Sequence, residues 1–514
     1  MFKQILNSFS RRERQILIGA IFIFLISVFF WLALTLNNKL EFLPKKGGQF
    51  REGAIGQPLF INPLISANEV DRDIASLIYS RLLDLSGDYQ IEAGTNNYLV
   101  KLKQDLVWDD GQPLTSDDVV FTIKTIQDPD SRSPLSQAWQ GVVAERISEL
   151  QVRFILRNPY IFFPDNLRNL FILPQHIFGK IPAANLKLSG YNLEPVGSGP
   201  YKFENFSKEK NGFITEYQLT INENYSGKKP YLEKFIFKFY ETPDALIKAF
   251  NQREVDGFGG LNSEQLKNLS LSKNLRGLIM PNYYGIFFNQ NINSNLKDRQ
   301  TRLALAQAID KKQIIQIVFN GEAMAIDQIF TSTSTPDLAA LKEKKLEFNL
   351  VVPQIDFLIK TAEIIKKNWE TIGVKLTLYV LNPNDIINLN IRSRDYEMLL
   401  FGINLQNKED LFSFWHSSQK FYPGLNLAIY GNPQADKLME EIRQTVDPEE
   451  RKIKLKTLQN IINQDLPAIF LYSPKYFYVS TKNLGGFEEK FLNTASDRFQ
   501  NVKNWYVKTA WVWK

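Results

Sequence analysis

Residues 99–126 read LVKLKQDLVWDDGQPLTSDDVVFTIKTI and predict a strand, a turn and a helix in succession. Residues 99–108 alternate apolar with polar side chains, which is typical of a half-buried strand. The DDG at 109–111 predicts a tight turn, and the TSDD at 115–118 has the spacing of a capping box ahead of a helix over 119–126. Turn and cap chemistry therefore account for these four acids better than a metal or acid–base cluster does.

Further elements outside this stretch alternate between strand and helix. Strands are predicted at 235–240 and 374–380. Helices are predicted at 301–319, ending before Gly321, at 359–371 and at 447–464. The helix–strand alternation in 300–400 favours an α/β unit, whereas residues 80–240 are richer in antiparallel strand patterns. Two different units in one chain are typical of a two-lobed binding protein.

Length and composition agree with two units. The chain has 514 residues, which is too many for one hydrophobic core. Its 38 Phe and 20 Tyr favour strand-rich cores and a pocket with aromatic walls. There is no cysteine, which excludes disulfides, a thiol nucleophile, Cys-ligated zinc and a lipid-modified cysteine. The net charge of +6 lies partly in the first 14 residues, and nothing in the sequence resembles a nucleic-acid-binding stripe.

The amino-terminal region predicts a membrane anchor. Residues 16–36 carry no charge and are long enough to span a bilayer. Basic residues precede this run, so the positive-inside rule places residues 1–14 in the cytoplasm as a short tail. We expect a single-pass transmembrane helix at 15–37, a tether at 38–49 and an extracytoplasmic body beyond it. A cleaved signal peptide is the alternative interpretation.

Seven segments between residues 50 and 500 carry a pattern in a fixed order. They are NPL at 62–64 with residues 78–83, WDDGQPLTSDDV at 108–119, PVGSGPY at 195–201, NY at 224–225, FN at 288–289 with RQTRLALAQAID at 299–310, Asn426 with Asn432 and Asp436, and residues 467–472. In this order they resemble the family 5 extracellular solute-binding proteins of ABC importers, the dipeptide-, oligopeptide- and nickel-binding group.

The resemblance implies an α/β fold of the periplasmic-binding-protein type, a two-lobed clamp with an inserted subdomain. Lobe I would comprise residues 50–79, 196–285 and 484–514. The inserted subdomain would span residues 80–195, and lobe II residues 286–483. Phe287, Phe288 and Asn289 would form a crossover strand of the hinge, and the glycines of PVGSGPY would form a tight backbone turn.

The resemblance also implies a function, the capture of a peptide-like solute by hinge closure and its delivery to an ABC permease in the membrane. We expect a monomer without cofactor, metal or nucleic-acid partner. Eight residues are expected to line the ligand cleft: Ala67, Asn68, Trp139, Asn404, Gln406, Trp415, His416 and Asn426. Trp139 and Trp415 fit the core of the protein equally well, and His416 fits a structural role.

One departure from the family concerns the ligand. In peptide-binding members an Asp after a Gly-Trp-rich strand pairs with the amino terminus of the ligand. The corresponding residues 401–406, FGINLQ, lack both the Trp and the Asp, and Glu409 or Asp410 is a candidate substitute. A blocked peptide, a sugar or another solute therefore stays an alternative ligand, and a membrane-tethered receptor or sensor stays an alternative role.

An enzymatic function is not expected from the histidine inventory. The chain has two histidines, His176 and His416, in unlike settings, and it lacks the G-x-S-x-G elbow of a serine hydrolase. An external hydrolase that depends on His416 is the remaining enzymatic alternative.

Overall fold

The amino-terminal helix is the element that could meet a membrane. A computed structural model describes residues 10–66, 68–91, 96–326, 344–405 and 407–513. Its first helix is Arg11–Lys39, and the stretch Arg12–Trp31 within it has a mean hydropathy of 2.1 and is not buried by the rest of the chain. This helix is long and apolar enough to cross a bilayer, on the grounds of length and composition.

A two-stranded antiparallel ribbon follows the helix directly. Leu40–Lys45 pairs with Lys508–Trp513, close to the other end of the chain. The residues predicted as a polar tether, 38–49, are therefore partly strand. Gly47 and Gly48, with φ of +126° and +88°, separate this ribbon from the first strand of the large sheet.

Seven strands form the sheet of the first lobe. In spatial order they are Lys273–Leu278, Tyr476–Thr481, Gly257–Gly259, Gln49–Ile55, Lys234–Tyr240, Ile214–Ile221 and Tyr201–Lys208. Gln49–Ile55 is parallel to both of its neighbours, and the remaining pairs are antiparallel. The strand predicted at 235–240 lies here, and its residues Phe235, Ile236, Phe237 and Phe239 are buried, which shows that both faces of the sheet are covered at this strand.

Six strands form the sheet of the second lobe. In spatial order they are Ala323–Ala325, Ala468–Pro474, Asn282–Phe288, Met398–Asn404, Glu347–Pro353 and Lys375–Leu381. The strand Glu347–Pro353 is parallel to both neighbours, and the helix Asp356–Thr371 makes the crossover that such a connection requires. The α/β unit predicted for 300–400 is confirmed.

The inserted region, residues 80–195, contains its own antiparallel sheet. Its strands are Ser86–Ile91, Asn97–Leu102, Gln151–Ile155 and Val143–Ser148. The predicted strand at 99–108 ends earlier, at Leu102, because the chain turns at Asp105, where φ is +56°. The predicted capping box is confirmed, since Thr115 and Asp118 cap the helix Ser116–Gln127 reciprocally.

Helices cover both lobes. Beyond the amino-terminal helix, those of seven residues or more are Glu69–Ile78, Ser116–Gln127, Phe163–Asn169, Pro243–Asn251, Arg299–Ala308, Lys311–Phe319, Asp356–Thr371, Pro433–Gln444 and Pro448–Asp465; shorter α-helical turns are Leu82–Leu85, Ser136–Trp139, Gln175–Phe178, Pro383–Asp385 and Phe412–Trp415. The single helix predicted over 301–319 is wrong, because Asp310 caps a second helix through the Gln313 amide at 2.9 Å.

Separate hydrophobic cores define the two lobes. One core joins the first sheet to the inserted region, since Phe50, Phe235, Trp108 and Phe163 belong to one buried cluster. The second lobe has its own clusters on the two faces of the six-stranded sheet. Within the described residues the chain passes between the two large sheets twice, at 279–281 and at Lys475.

These crossings revise two sequence predictions. The strand Tyr476–Thr481 belongs to the first sheet, although the predicted second lobe extended to 483, and Asn282–Phe288 begins in the second sheet before the predicted boundary at 286. Phe287, Phe288 and Asn289 are buried inside the second lobe and do not form the hinge. Local pattern identified the strands, whereas the partner strand determines which sheet each one joins.

Candidate ligand cleft

The candidate cleft lies between the two lobes, which the two crossings join. Leu278 and Tyr476 are the last paired residues on the first-lobe side, and Asn282 and Asn404 form the first pair on the other side. The Leu405 amide donates to the Pro281 carbonyl at 2.7 Å. Two adjacent extended segments are a suitable hinge, because small backbone rotations in a few residues move whole lobes.

Asn404 is the predicted site residue that the structure places between the lobes. It is the last residue of Met398–Asn404, and its Nδ2 donates to the Asn493 carbonyl of the first lobe at 2.9 Å. Its Oδ1 is buried and has no hydrogen-bond partner among the described residues. A buried acceptor held in a fixed orientation is suited to a donor on a bound solute.

Asn68 has a structural role at the amino end of the helix Glu69–Ile78. Its side chain accepts from the Asp71 amide at 2.8 Å, and its Nδ2 donates to the Gln57 carbonyl at 3.2 Å. These bonds use both ends of the side-chain amide to close the helix terminus. Two other residues predicted to line the cleft, Ala67 and Gln406, lie outside the described residues.

The two predicted tryptophans belong to cores. Trp139 is 3% exposed and packs edge-on to Phe163, with ring centroids 5.5 Å apart, in the inserted region. Trp415 is 2% exposed and packs against Phe470 at 5.7 Å in the second lobe. Both rings therefore pack inside a lobe, as core residues do, and their assignment to the cleft stays a prediction.

His416 and Asn426 organise a loop of the second lobe. The His416 ring stacks on Phe412 with centroids 4.0 Å apart, and its Nδ1 lies 2.8 Å from the Ser418 hydroxyl. Asn426 is fully buried and donates to the carbonyls of Trp415, His416 and Tyr430. Both residues are engaged by the protein itself, so the structure does not bring them together with Asn404 as one binding surface.

The acids proposed as substitutes for a ligand-binding carboxylate are paired with arginines. Asp410 receives two hydrogen bonds from Arg443, both 2.8 Å, and one from the Tyr160 hydroxyl at 2.7 Å. Glu409 accepts from Arg451 at 2.7 Å. A carboxylate that already accepts a bidentate guanidinium has little capacity left for a ligand ammonium group.

The acidic segment at 108–118 and the glycine-rich turn at 195–201 contact each other. Both have the structural roles that the sequence predicts. The Gly197 amide donates to Asp109 Oδ2 at 2.9 Å, and a Cβ on Gly197 would lie 2.1 Å from the Ile78 carbonyl oxygen. Burial raises the pKa of Asp109 to about 6, against the effect of that hydrogen bond. His176 is held by Asp110 at 2.8 Å beside the same turn.

A buried charge cluster beside the hinge was missed in the sequence. Arg498, 2% exposed, donates to Glu52 at 3.1 Å and 3.2 Å and to Asp73 at 3.0 Å. Burial raises the pKa of Glu52 to about 7, although Arg498 and the Tyr478 hydroxyl favour its charged form. The residues come from distant parts of the chain, so no local pattern could have identified the cluster.

A metal or cofactor site is not apparent in the part of the chain that the structure describes. No three His, Asp or Glu side chains there are placed to hold one ion. Between the lobes, Asn404 offers a fixed hydrogen-bond acceptor that a solute could use.

Two lobes with separate cores, joined by two adjacent strand crossings, are typical of the extracellular solute-binding proteins. A sequence profile of the bacterial extracellular solute-binding proteins, family 5 middle region, matches residues 82–354, more than half of the chain. The chain belongs to this family.

Individual relatives extend the similarity over nearly the whole chain. The oligopeptide-binding protein AppA of Bacillus subtilis is 26% identical, over 90% of this chain and 92% of its own. The ABC transporter substrate-binding protein CtaP of Listeria monocytogenes has a solved structure that matches with a TM-score of 0.78 at 25% identity, over 90% of this chain and 100% of its own.

Two solved complexes share the fold at lower identity. AppA of Bacillus subtilis in complex with a nonapeptide gives a TM-score of 0.73 at 23% identity, over 91% of this chain and 100% of its own. AgaA of A. tumefaciens R10 in complex with agropinic acid gives 0.72 at 20% identity, over 90% of this chain and 99% of its own.

Proposed function

We propose that this protein is a membrane-anchored extracytoplasmic solute-binding protein that captures a peptide-like ligand by closure of its two lobes. The closed form would then deliver the ligand to an ABC importer in the same membrane. The observation that carries the proposal is the joining of two independently packed lobes by two adjacent strand crossings, with Asn404 directed between them. Membership of the solute-binding family supports the same reading.

Closure would work by population shift. A ligand that touches both lobes gains contacts in the closed state that the open state lacks, so it stabilises closure by that difference. Asn404 contributes to such a difference because its amide already joins Asn493 of the first lobe. The hydrogen bond to a bound solute would form at its unused Oδ1.

The anchor is proposed from the amino-terminal helix. Arg12–Trp31 has the length and hydropathy of a membrane span, and basic residues flank its amino side. The body begins at the ribbon strand Leu40–Lys45 with no long linker. An attached body explores a small volume, so its effective concentration at a neighbouring permease is high.

A peptide is the proposed ligand class because the relative AppA has been solved with a nonapeptide. In this chain the carboxylates of Glu409 and Asp410 each pair with an arginine, Glu409 through one hydrogen bond and Asp410 through two, so neither is an unpaired charge waiting for the amino terminus of a peptide. We therefore expect recognition by neutral donors and acceptors, with backbone amides of the ligand contributing as in strand addition.

A membrane-tethered receptor for a non-peptide solute is the second candidate. The complex of AgaA with agropinic acid matches the fold as well as the nonapeptide complex does, so the architecture does not by itself select peptides. We propose no enzymatic activity, since His176 and His416 are each held by protein partners in separate places.

Native mass spectrometry of the full chain, purified from a membrane in detergent, tests the ligand class. Peptide masses that co-purify and are displaced by a casein tryptic digest are the expected result. The same digest should raise the melting temperature, because a ligand at 100 times its Kd adds about 2.7 kcal/mol to the free energy of unfolding. If a non-peptide mass co-purifies and no peptide raises the melting temperature, the receptor candidate replaces the peptide proposal.

A further inference from the structure

Consecutive residues of the inserted region belong to different lobes. Phe163 is fully buried in the core that the inserted region shares with the first sheet. Phe162, its neighbour, is 7% exposed, and it is buried in the cluster of the second lobe. One aromatic side chain of the first lobe therefore reaches across into the core of the other lobe.

Polar contacts hold residues 160–162 against the second lobe. The Ile161 amide donates to the Arg443 carbonyl at 2.8 Å, and the Tyr160 hydroxyl donates to Asp410 Oδ2 at 2.7 Å. Arg443 grips Asp410 with two bonds of 2.8 Å, and its guanidinium lies 5.1 Å from the centre of the Tyr160 ring. Burial raises the pKa of the Tyr160 hydroxyl, with Asp410 adding to the effect, so this group remains a donor.

The receiving surface is preformed by the second lobe. Arg443 also stacks over Phe412, with its guanidinium carbon 3.9 Å from the ring centre, so the arginine is fixed by residues of its own lobe. Arg451 lies 5.7 Å from the centre of the Phe162 ring. Asp410, Phe412 and Arg443, the socket, therefore also contact one another within the second lobe.

From these contacts we propose that residues 160–162, the latch, hold the two lobes closed independently of any solute. The inserted region moves with the first sheet because they share one core, whereas Asp410 and Arg443 move with the second. Rotation about residues 279–281 and Lys475 separates the latch from its socket. The latch thus contributes to the closed state alone, and it makes Tyr160 and Phe162 affinity-determining residues of the binding protein.

This inference rests on closure in the proposed function, but it makes a different claim about solutes. The apparent Kd of any ligand equals its intrinsic Kd divided by the fraction of competent molecules. Weakening the latch therefore raises the apparent Kd of every ligand by the same factor. A substitution in the cleft, such as Asn404→Ala, changes the affinity of different ligands by different factors.

Fluorescence resonance energy transfer on the solute-free full chain measures the closed fraction directly. The sequence contains no cysteine, so Leu188→Cys in the inserted region and Ile453→Cys in the second lobe give two unique labelling positions. Both residues are well exposed, at 82% and 68%. The labelled chain is placed in nanodiscs, and single-molecule distributions give the ratio of closed to open forms.

Phe162→Ala is expected to lower that ratio by about tenfold or more, because it removes a buried aromatic side chain from the closed state alone. Tyr160→Phe removes one hydrogen bond to a charged acceptor and is expected to lower it by about threefold to tenfold. Tyr191→Phe, a tyrosine of the inserted region outside the latch, and Lys360→Met, which breaks an exposed interlobe pair with Glu264, should leave it unchanged.

Two results would overturn the latch. One is a wild-type chain that is open in the absence of solute, and the other is an unchanged ratio in both latch variants. Tyr160→Phe decides the question if Phe162→Ala fails to fold. A casein digest that fails to raise the closed fraction of Tyr160→Phe counts against the proposed peptide function and leaves the solute-free comparison of variants intact.

Discussion

Arg498→Met should destabilise the first lobe more than any substitution of an exposed charge, because it leaves two buried carboxylates without their cation. Glu52 is fully buried and Asp73 is 3% exposed, and Arg498 is the cation that contacts both. After the substitution, Glu52 keeps the Tyr478 hydroxyl at 2.8 Å and Asp73 keeps the Ser496 hydroxyl at 2.6 Å. One neutral donor each does not compensate a buried carboxylate.

The magnitude follows from the burial of the cluster. Removing one partner of a buried ion pair costs about 3–5 kcal/mol, a large share of the roughly 5–15 kcal/mol that stabilises a typical domain. The cluster links the strand Gln49–Ile55, the helix Glu69–Ile78 and the turn Ala495–Phe499. The loss should therefore appear in the first lobe.

Urea denaturation of the full chain in detergent, with hydrogen exchange to assign each transition to a lobe, measures this loss. The pH dependence supplies a second readout. Burial already raises the pKa of Glu52, so the acids of the variant take up protons as pH falls, and the deficit relative to wild type should shrink from pH 8 to pH 5. Adding Glu52→Gln and Asp73→Asn to Arg498→Met should recover at least half of the loss.

Lys375→Met serves as the control, since Lys375 and Glu347 form an ion pair that is more than 60% exposed on both sides. Its expected cost is below about 1 kcal/mol. An Arg498→Met chain within about 1 kcal/mol of wild type at pH 8, or no recovery in the triple variant, would refute the account of the cluster.

Three further predictions concern single contacts. Asp109→Asn should remove up to about 3 kcal/mol of the stability change between pH 4 and pH 6.5: burial raises the pKa of Asp109 to about 6, so its protonated form stabilises the fold and this contribution is lost as pH rises, as urea titrations at each pH will measure. Gly197→Ala should lower the melting temperature or prevent folding, because its Cβ would lie 2.1 Å from the Ile78 carbonyl. Asn426→Ala should cost about 2–4 kcal/mol in the second lobe, because three buried carbonyls lose their donor.

Matched variants accompany these three. Asp117→Asn, on an exposed acid of the same stretch, should leave the pH profile unchanged, and an Asp109→Asn profile as steep as that of wild type would contradict the assignment. Gly190→Ala, at a glycine with open space around its Cβ position and, like Gly197, no left-handed φ, isolates the effect of an added methyl group from the clash at Gly197. A wild-type melting temperature for Gly197→Ala, or an Asn426→Ala loss confined to the first lobe, would refute the respective reasoning.

Features that depend on neighbours in sequence were predictable. The cap at Thr115 and the start of the helix Pro448–Asp465, where Asp447 accepts from the Glu450 amide at 2.7 Å, involve residues three apart. Their hydrogen bonds form within one turn of chain, so the local pattern contains all the information they require.

Features that depend on distant partners were not predictable in this way. Glu52 and Arg498 lie 446 residues apart, and Tyr160 and Asp410 lie 250 apart. The residues next to Trp415 in sequence do not indicate whether its side chain lies in a core or in a cleft. Its burial depends on which elements pack around it. The resemblance to the family supplied the overall architecture, and Asn404 was the predicted site residue that the structure places between the lobes.

The order of strands in the two sheets has a consequence for how the chain matures as it emerges. All six strands of the second sheet lie between residues 282 and 474, so that lobe has every strand it needs before synthesis ends. The first sheet needs Tyr476–Thr481 beside strands made much earlier, and the basal ribbon needs Lys508–Trp513. The half of the clamp that begins first is therefore completed only once residues 476–481 are made, and until then Gly257–Gly259 and Lys273–Leu278 lack the strand that pairs with both.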